Sequence, residues 1–321
     1  MTRRRPATAI RPASSGNLRP HAGTPPARPG VRIDDVTIAY RIARGMSADV
    51  FAVWHYRLLT PLVCKRLRPA DPDHAAHRRR LRAEGQALAR LSHPGIVRLV
   101  DQRHATALPY LLLEHVGGRT LRELLKTDGP FAVDAGVRIV QHVAAAVAHL
   151  HGHGLLHRDL KPSNVMLREG RPVLLDLGVV WRMAPGRRPP DRSGTPQYLA
   201  PEQIARAPLT PATDVYGLGV LLVELLTGAR PFPNGDRAAG AALAARYPQL
   251  AQPPRLARAL PAELARVIAG CLEHDPRARP QSAVEVARAL DPFTPVKVWP
   301  AWLDAGFEPF ERRRASTRDV A

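Results

Sequence analysis

Lysine is scarce in this sequence. Only four of the 47 basic residues are lysine, so arginine carries most of the positive charge, and the 28 acidic residues leave a formal net charge of +19. A surface this basic attracts polyanions without selecting among them. No aromatic-rich basic motif, zinc-finger spacing or helix-turn-helix pattern accompanies the charge. We therefore expect no specific nucleic-acid partner, and nucleic-acid binding stays an alternative that rests on net charge alone.

Cysteines and long apolar runs are equally sparse. The two cysteines, Cys64 and Cys271, are too few for a disulfide framework, and each lies in an apolar stretch. They are predicted to be buried free thiols in a reducing compartment. No segment approaches the roughly 18 apolar residues that cross a bilayer, and no apolar run follows the N-terminal arginines as in a secretory signal. We expect a cytoplasmic protein without a membrane span.

The composition changes along the chain. Residues 1–32 contain six prolines, seven arginines and no acidic residue, which predicts a disordered basic tail. Short segments rich in β-forming residues follow, and then longer segments with helical periodicity. The predicted strands are 37–43, 50–55, 59–66, 96–100, 110–114, 165–167 and 173–175. The predicted helices are a stretch around 81–91, then 120–126, 133–153, 212–227, 237–246, 261–274 and 282–290.

The segment 157–164 reads HRDLKPSN and is the most specific motif in the chain. A DLG triplet begins at Asp176, twelve residues after Asn164. In this order and spacing the two motifs resemble the catalytic and metal-binding loops of the eukaryotic-like, bacterial-type serine/threonine protein kinases. The resemblance implies that Asp159 orients the proton of the substrate hydroxyl and that Lys161 stabilises the transferring phosphoryl group. It also implies that Asn164 and Asp176 bind Mg²⁺.

A second implied element is a lysine–glutamate pair upstream of the catalytic loop. Lys65 ends the segment LVCK, which resembles the family's lysine motif, and is expected to contact the α- and β-phosphates of ATP. Glu84 lies three residues after Leu81 and four before Leu88, so the three share one helix face. A charged group on that inward face needs a partner, and Lys65 is the expected one. A surface glutamate on a basic helix stays the alternative.

The glycine-rich loop that covers phosphates in this family is eroded here. Residues 43–50 align with it, and only its central glycine, Gly45, survives. The resemblance implies that the nucleotide is also held by the connector after the fifth long strand, with Leu113 as gatekeeper. The implied nucleotide-contacting residues are Lys65, Glu84, Gly45, Val50, Val63, Glu114, Val116 and Met166.

Further downstream, residues 194–202 read GTPQYLAPE and resemble the substrate-binding end of a kinase activation segment. The implied platform consists of Thr195, Glu202 paired with Arg279, and Asp214 bracing the catalytic loop. Arg158 precedes the catalytic aspartate, an arrangement that in this family often accompanies activation by phosphorylation. Ser193 is then the candidate phosphosite, and solvated arginines in this segment stay an equally open interpretation.

Together these motifs imply a bilobal α+β protein kinase fold. We expect an N-lobe at 33–114, with a small antiparallel sheet plus one helix, a hinge at 115–118, a mainly helical C-lobe at 119–291 and a tail at 292–321. The implied activity is transfer of the γ-phosphate of ATP, with Mg²⁺, to Ser/Thr hydroxyls of protein substrates, including autophosphorylation. A pseudokinase scaffold and a small-molecule kinase stay as alternatives, the latter disfavoured by the segment APE at 200–202.

Overall fold

The computed structural model describes residues 29–45, 48–68, 74–105, 109–238, 241–256 and 259–295. Most of the tails expected at 1–32 and 292–321 therefore lies outside the described residues. The chain divides into two compact units. One comprises residues up to 81 together with 99–115, and the other comprises 82–98 together with the chain from 116 onward.

The first unit is built on a six-stranded sheet in which every neighbouring pair is antiparallel, in the order β1-β2-β3-β4-β6-β5. One cluster of buried side chains from β2, β3, β4 and β6, including Cys64, forms its core. Short segments rich in β-branched and aromatic residues favour strands in this unit. The strands are β1 (Arg32–Ile33), β2 (Val36–Arg44), β3 (Ala48–His55), β4 (Thr60–Leu67), β5 (Leu99–Arg103) and β6 (Tyr110–Glu114).

One predicted strand is misplaced. The sequence predicts a strand at 96–100, whereas β5 begins at Leu99. Ile96 and Val97 pair within the second unit instead: Ile96 bridges Leu174, and the Val97 amide donates to the Leu174 carbonyl at 2.8 Å. The apolar run 96–100 therefore serves two backbone partners, a division that β-propensity does not reveal.

The second unit is mainly helical, with three small strand pairings. Its strands are β7 (Arg119–Thr120), β8 (Leu155–Leu156), β9 (Val165–Arg168), β10 (Arg171–Leu174) and β11 (Trp181–Arg182). Helix α1 (His74–Leu88) contains the boundary between the units. The further helices are α2 (Leu121–Asp128), α3 (Val133–Gly152), α4 (Pro201–Ala205), α5 (Pro211–Thr227), α6 (Leu243–Arg246), α7 (Ala262–Cys271) and α8 (Ala283–Leu290).

Helix α5 is the centre of this unit. It is buried from Ala212 to Leu226, and most of its side chains are apolar, as expected of a helix in the interior. The buried face of α3 has the spacing that the sequence predicts. The helix predicted at 237–246 is wrong, because α6 is the only helix among the described residues of that range and the Asp236 amide donates to the Ala245 carbonyl at 2.9 Å. That contact folds the chain back on itself where the prediction has a continuous helix.

These observations confirm the predicted α+β fold class. An antiparallel sheet dominates the first unit and helices dominate the second. Cys64 and Cys271 are both buried free thiols, as predicted. Among the described residues, no helix has the length and apolar character to cross a membrane.

Candidate active site

A buried carboxylate holds the backbone of the loop between β8 and β9 in place. Asp214, on α5, accepts the backbone N–H groups of His157 and Arg158, each at 2.8 Å, and lies 2.9 Å from Nε2 of His151. Arg158 has a left-handed backbone (φ +68°), which non-glycine residues rarely adopt and which must be held by its surroundings. Burial alone would raise the pKa of Asp214. The contacts with His151 and with the backbone N–H of Arg158 outweigh burial, so the net pKa is lowered.

Asp159 directly follows Arg158 and lies at the centre of a hydrogen-bond network. Its Oδ2 is 2.6 Å from Nζ of Lys161, and its Oδ1 accepts the Thr195 backbone N–H at 2.8 Å. Lys161 also donates to Thr195 Oγ1 at 2.5 Å. Asn164 donates Nδ2 to the Asp159 backbone oxygen at 2.9 Å and to Oδ2 at 3.2 Å. Three residues that the sequence singles out therefore contact the carboxylate of Asp159, the fourth.

Asn164 and Asp176 lie at the same open end of the β9–β10 hairpin. The register pairs Val165 with Leu174, and the Leu175 amide donates to the Asn164 carbonyl at 2.9 Å. Asp176 follows directly, and its Oδ1 accepts the Gly178 amide at 2.8 Å. Because the Asn164 amide nitrogen is used on Asp159, its Oδ1 remains as an acceptor oxygen. The hairpin thus brings two oxygen donors to one place.

The end of the segment after Thr195 is anchored by a buried ion pair. Arg279 donates Nη1 and Nη2 to the two carboxylate oxygens of Glu202 at 2.7 and 2.9 Å. The other donor groups of Arg279 bind the carbonyls of Ala212, Glu273 and His274. Both side chains are at most 4% exposed. This bidentate geometry joins α4 to the loop before α8.

Sequence reasoning missed the surroundings of the Arg158 guanidinium. Arg158 is buried, donates Nε to the Val179 carbonyl at 2.9 Å and lies 5.3 Å from the Trp181 ring centroid. Its Nη2 is 4.0 Å from Oδ1 of Asp191. Asp191 also accepts hydrogen bonds from the backbone and hydroxyl of Ser193. Asp191 and Trp181 belong to no recognised motif, so only the fold identifies them.

A second missed cluster adjoins Thr195. The 3₁₀ turn Pro196–Tyr198 carries the buried Tyr198, whose hydroxyl donates to Glu224 at 2.6 Å. Arg122, from α2, forms an ion pair with the other oxygen of Glu224 at 2.8 Å and donates to the Tyr198 hydroxyl. Gln203 donates to the Arg158 carbonyl at 3.1 Å, so it joins α4 to the catalytic loop. Tyr198 lies within the motif at 194–202, but Arg122, Gln203 and Glu224 have no spacing signal in the sequence.

The site residues of the first unit lie on adjacent strands. Lys65, in β4, is half-buried and opposes Val50 of β3, and Val63 opposes Leu113 of β6. Glu114 ends β6 opposite Leu62. The Gly45 amide donates to the Ala48 carbonyl at 2.9 Å.

An added Cβ at Gly45 would lie 2.7 Å from that Ala48 oxygen. The position is therefore closed to larger residues as the loop stands. Residues 46 and 47 at its tip lie outside the described residues.

The remaining predicted residues belong to the second unit. Glu84 is 1% exposed on α1, which agrees with an inward-facing position and not with the surface alternative. Val116 is buried, and Met166 is half-buried on β9. The pairing of Lys65 with Glu84 stays a prediction.

Comparison with known proteins identifies the family that this arrangement belongs to. Residues 37–289 match the protein kinase domain family. The chain belongs to the protein kinase family. Its kinase domain is 40% identical over 214 residues to serine/threonine-protein kinase PkaA of Streptomyces coelicolor. The aligned residues cover 64% of this chain and 38% of that protein. It is 36% identical over 220 residues to serine/threonine-protein kinase PknB of Mycolicibacterium smegmatis, or 66% and 35% of the two chains.

The kinase domain also matches a probable serine/threonine-protein kinase of Corynebacterium efficiens, 33% identical over 208 residues. That match covers 62% of this chain and 32% of the relative. The chain therefore spans about a third of the length of these relatives. The family and its bacterial serine/threonine members agree with the resemblance seen in the motifs.

Proposed function

We propose that this chain is a serine/threonine protein kinase that transfers the γ-phosphate of ATP to hydroxyl groups of protein substrates, its own chain included. One observation carries the proposal: Lys161 bridges the Asp159 carboxylate and the Thr195 hydroxyl. This contact joins the residue that orients the attacking hydroxyl to the segment that receives the substrate. The names of the similar bacterial kinases support the same reading.

In this proposal Asp159 accepts and orients the substrate hydroxyl proton. Its two oxygens are already held by Lys161 and by the Thr195 amide, so the carboxylate does not have to reorganise when the substrate arrives. Lys161 then places a compact positive charge beside the phosphoryl group as charge develops on it. Asp214 acts one step further away, because it fixes the backbone that carries Asp159.

Asn164 and Asp176 fit a Mg²⁺ site by the chemistry of their donors. Mg²⁺ prefers hard oxygen ligands, of which proteins supply one or two beside phosphate oxygens. The hairpin end offers an amide oxygen and a carboxylate. When bound, the ion would neutralise charge on the phosphates. In this proposal Asn164 and Asp176 would hold the ion.

The nucleotide contacts are proposed from the resemblance to the family. We propose that Lys65, supported by Glu84, binds the α- and β-phosphates and that the backbone at Gly45 approaches them. The adenine would contact apolar side chains and the connector backbone. These further proposed contacts are Val50, Val63, Glu114, Val116 and Met166.

A protein substrate with Ser or Thr acceptors is supported by the anchored segment around Thr195. The buried Glu202–Arg279 pair provides a fixed surface that small-molecule phosphotransferases of similar fold generally lack, and Lys161 with Thr195 favours Ser/Thr over Tyr acceptors. A reducing, cytoplasmic location for the kinase domain is also proposed, supported by its two buried free thiols. Phosphorylation of Ser193 stays a proposal as well.

A paired assay tests the proposal. The purified chain is incubated with γ-labelled ATP and Mg²⁺ and with peptides that differ only in a Ser, Thr or Tyr acceptor, and its melting temperature is measured with the same nucleotide. We expect label on the Ser and Thr peptides and a nucleotide-dependent rise in melting temperature. A rise in melting temperature without transfer contradicts the proposal and favours a pseudokinase scaffold. Transfer to Tyr alone contradicts the substrate assignment.

A further inference from the structure

A buried carboxylate in the cluster next to Thr195 is already paired with an arginine. Glu224 is almost fully buried, with its side chain 2% exposed. One oxygen pairs with Arg122 and the other with the Tyr198 hydroxyl. Arg122 itself is 44% exposed. A basic substrate side chain would therefore meet the guanidinium of Arg122, and not the carboxylate beneath it.

A second arginine acts on the same cluster. Burial and the charge of Glu224 raise the pKa of Tyr198, while the charges of Arg122 and Arg230 oppose that rise. Arg230 is half-buried and bonds the side chain of the exposed Asn234. Tyr198, three residues from Thr195, therefore lies in the field of two arginines, and the Arg122 guanidinium covers the Glu224 carboxylate.

The segment leading to Thr195 has the same sign at its surface. Within the described stretch 183–206 the two acidic residues are Asp191, which faces Arg158, and Glu202, which is buried against Arg279. The exposed charged residues of the stretch are arginines, and two of them are tethered to carbonyls of this segment or of α4. They are Arg187, Arg188, Arg192 and Arg206.

We propose that this arginine-lined surface selects protein substrates whose acceptor hydroxyl is flanked by anionic side chains, either carboxylates or phosphorylated residues. The inference rests on the proposed kinase function and names its substrate class. Opposite charges raise the local concentration of such a peptide and fix its register, and a basic peptide is repelled. Glu123, also on α2, is held at the N-terminus of that helix, where its carboxylate accepts the backbone N–H of Thr120.

Four peptides of equal length test the proposal, each with one central Ser. Their flanks are acidic, phosphoserine-containing, neutral or basic. Binding is measured by fluorescence anisotropy on versions with Ala in place of Ser, and transfer is measured on the Ser versions. A fifth peptide carries the same acidic residues at its far end, so that its net charge matches.

We expect the acidic and phosphoserine peptides to bind at least about tenfold more tightly than the basic one, with a difference that shrinks as salt rises. Of the two, the tighter binder identifies carboxylate or phosphate as the natural anion. Equal binding of the displaced-acid peptide overturns the inference, because the surface would then respond to net charge only. Preference for the basic peptide also overturns it. Because binding is measured without transfer, an acidic preference with no phosphorylation supports the surface and contradicts only the kinase function.

Two variants locate the effect. The double variant Arg230→Gln with Arg188→Gln removes one charge beside the Tyr198 cluster and one from the segment before Thr195. We expect about a three- to tenfold loss of acidic-peptide binding with neutral-peptide binding unchanged. Arg266→Gln, on α7 and paired with Glu263, is the matched control and should leave both unchanged. An equal loss in the control overturns the assignment to this surface.

Discussion

Arg279 and Glu202 are joined by two parallel hydrogen bonds in the interior of the second unit, at 2.7 and 2.9 Å. Replacing Arg279 with Ala leaves the Glu202 carboxylate buried without its cation. Breaking one side of such a pair typically costs about 3–5 kcal/mol. We therefore expect Arg279→Ala to lower the free energy of unfolding by that amount, as measured by urea denaturation.

Arg277 provides the control for this prediction. It lies two residues away on the surface and pairs with the exposed Asp275. Arg277→Gln should leave the urea midpoint unchanged, because exposed ion pairs contribute little to stability. If Arg279→Ala were as mild as Arg277→Gln, the anchoring role of the Glu202–Arg279 pair would be wrong.

His157 should make stability fall in mildly acidic solution. Burial lowers its pKa below the ordinary value of 6.5, despite the nearby Asp214 and Asp159 carboxylates. Below pH 6.5 the unfolded chain binds a proton at this site that the folded chain does not, so the free energy of unfolding decreases as pH falls from 6.5 toward the folded pKa. The contribution is at most about 1.4 kcal/mol per pH unit.

His93, His142 and His149 also have lowered pKa values, with burial as the main cause, and they add to the same slope. His157→Gln should reduce the slope of unfolding free energy against pH between 5.5 and 6.5 and leave the other three contributions in place. Urea denaturation at several pH values measures both slopes. An unchanged slope in the variant would mean that His157 is already protonated in the folded protein.

A substitution at Gly45 tests whether the loop at 43–50 contacts the nucleotide, as proposed. An alanine there places its Cβ against the Ala48 carbonyl, so the turn that the Gly45 amide closes must open. We expect Gly45→Ala to raise KM for ATP by about five- to thirtyfold, equivalent to about 1–2 kcal/mol of lost binding, with a smaller change in kcat.

Gly270→Ala, where an added Cβ meets no neighbouring atom within 4 Å, is the control for the glycine substitution. Steady-state kinetics at varied ATP concentration separates the two constants. If kcat fell by about five- to thirtyfold while KM for ATP stayed unchanged, Gly45 would not act through nucleotide binding.

Asp191 is predicted to hold the segment before Thr195 through Arg158. Asp191→Asn keeps the shape of the side chain and its contacts to Ser193 but removes the charge that faces the buried guanidinium. We expect up to about a fivefold fall in kcat, with partial recovery in Asp191→Glu, because an ion pair with a partner this exposed contributes about 1 kcal/mol or less.

Mass spectrometry of the same proteins reads the state of Ser193. If wild-type protein is phosphorylated there and Ser193→Ala loses activity as strongly as Asp191→Asn, the phosphate and not Asp191 is the partner of Arg158. Full activity of unphosphorylated Ser193→Ala supports Asp191. Full activity of Asp191→Asn contradicts the prediction.

The sequence predicts the parts of the site that lie within contiguous motifs. Asp159, Lys161 and Asn164 share one loop, so their spacing alone places them together, and Asp176 follows across a hairpin that strand patterning also predicts. Glu84 is placed by its helix face. The element order and the α+β class follow from the same periodicities.

The missed residues depend on tertiary contacts. Arg122 reaches Glu224 across 102 positions of the chain, and Asp191 meets Arg158 through a loop without periodicity. In an arginine-rich sequence no single arginine stands out, so residue type carries little information about these pairs. The failed helix at 237–246 has a similar cause, because a tertiary backbone contact at Asp236 overrides local propensity.

The central claim is that Asp159 orients the attacking hydroxyl and that Lys161 and Thr195 hold the Asp159 carboxylate in place. Its most direct test is the rate of γ-phosphate transfer to a Ser peptide by wild-type protein and by Asp159→Asn, with circular dichroism and nucleotide binding measured on both. The account predicts that the variant folds and binds ATP like the wild type but transfers phosphate at least about 10²-fold more slowly. Transfer at a wild-type rate by folded Asp159→Asn would contradict it.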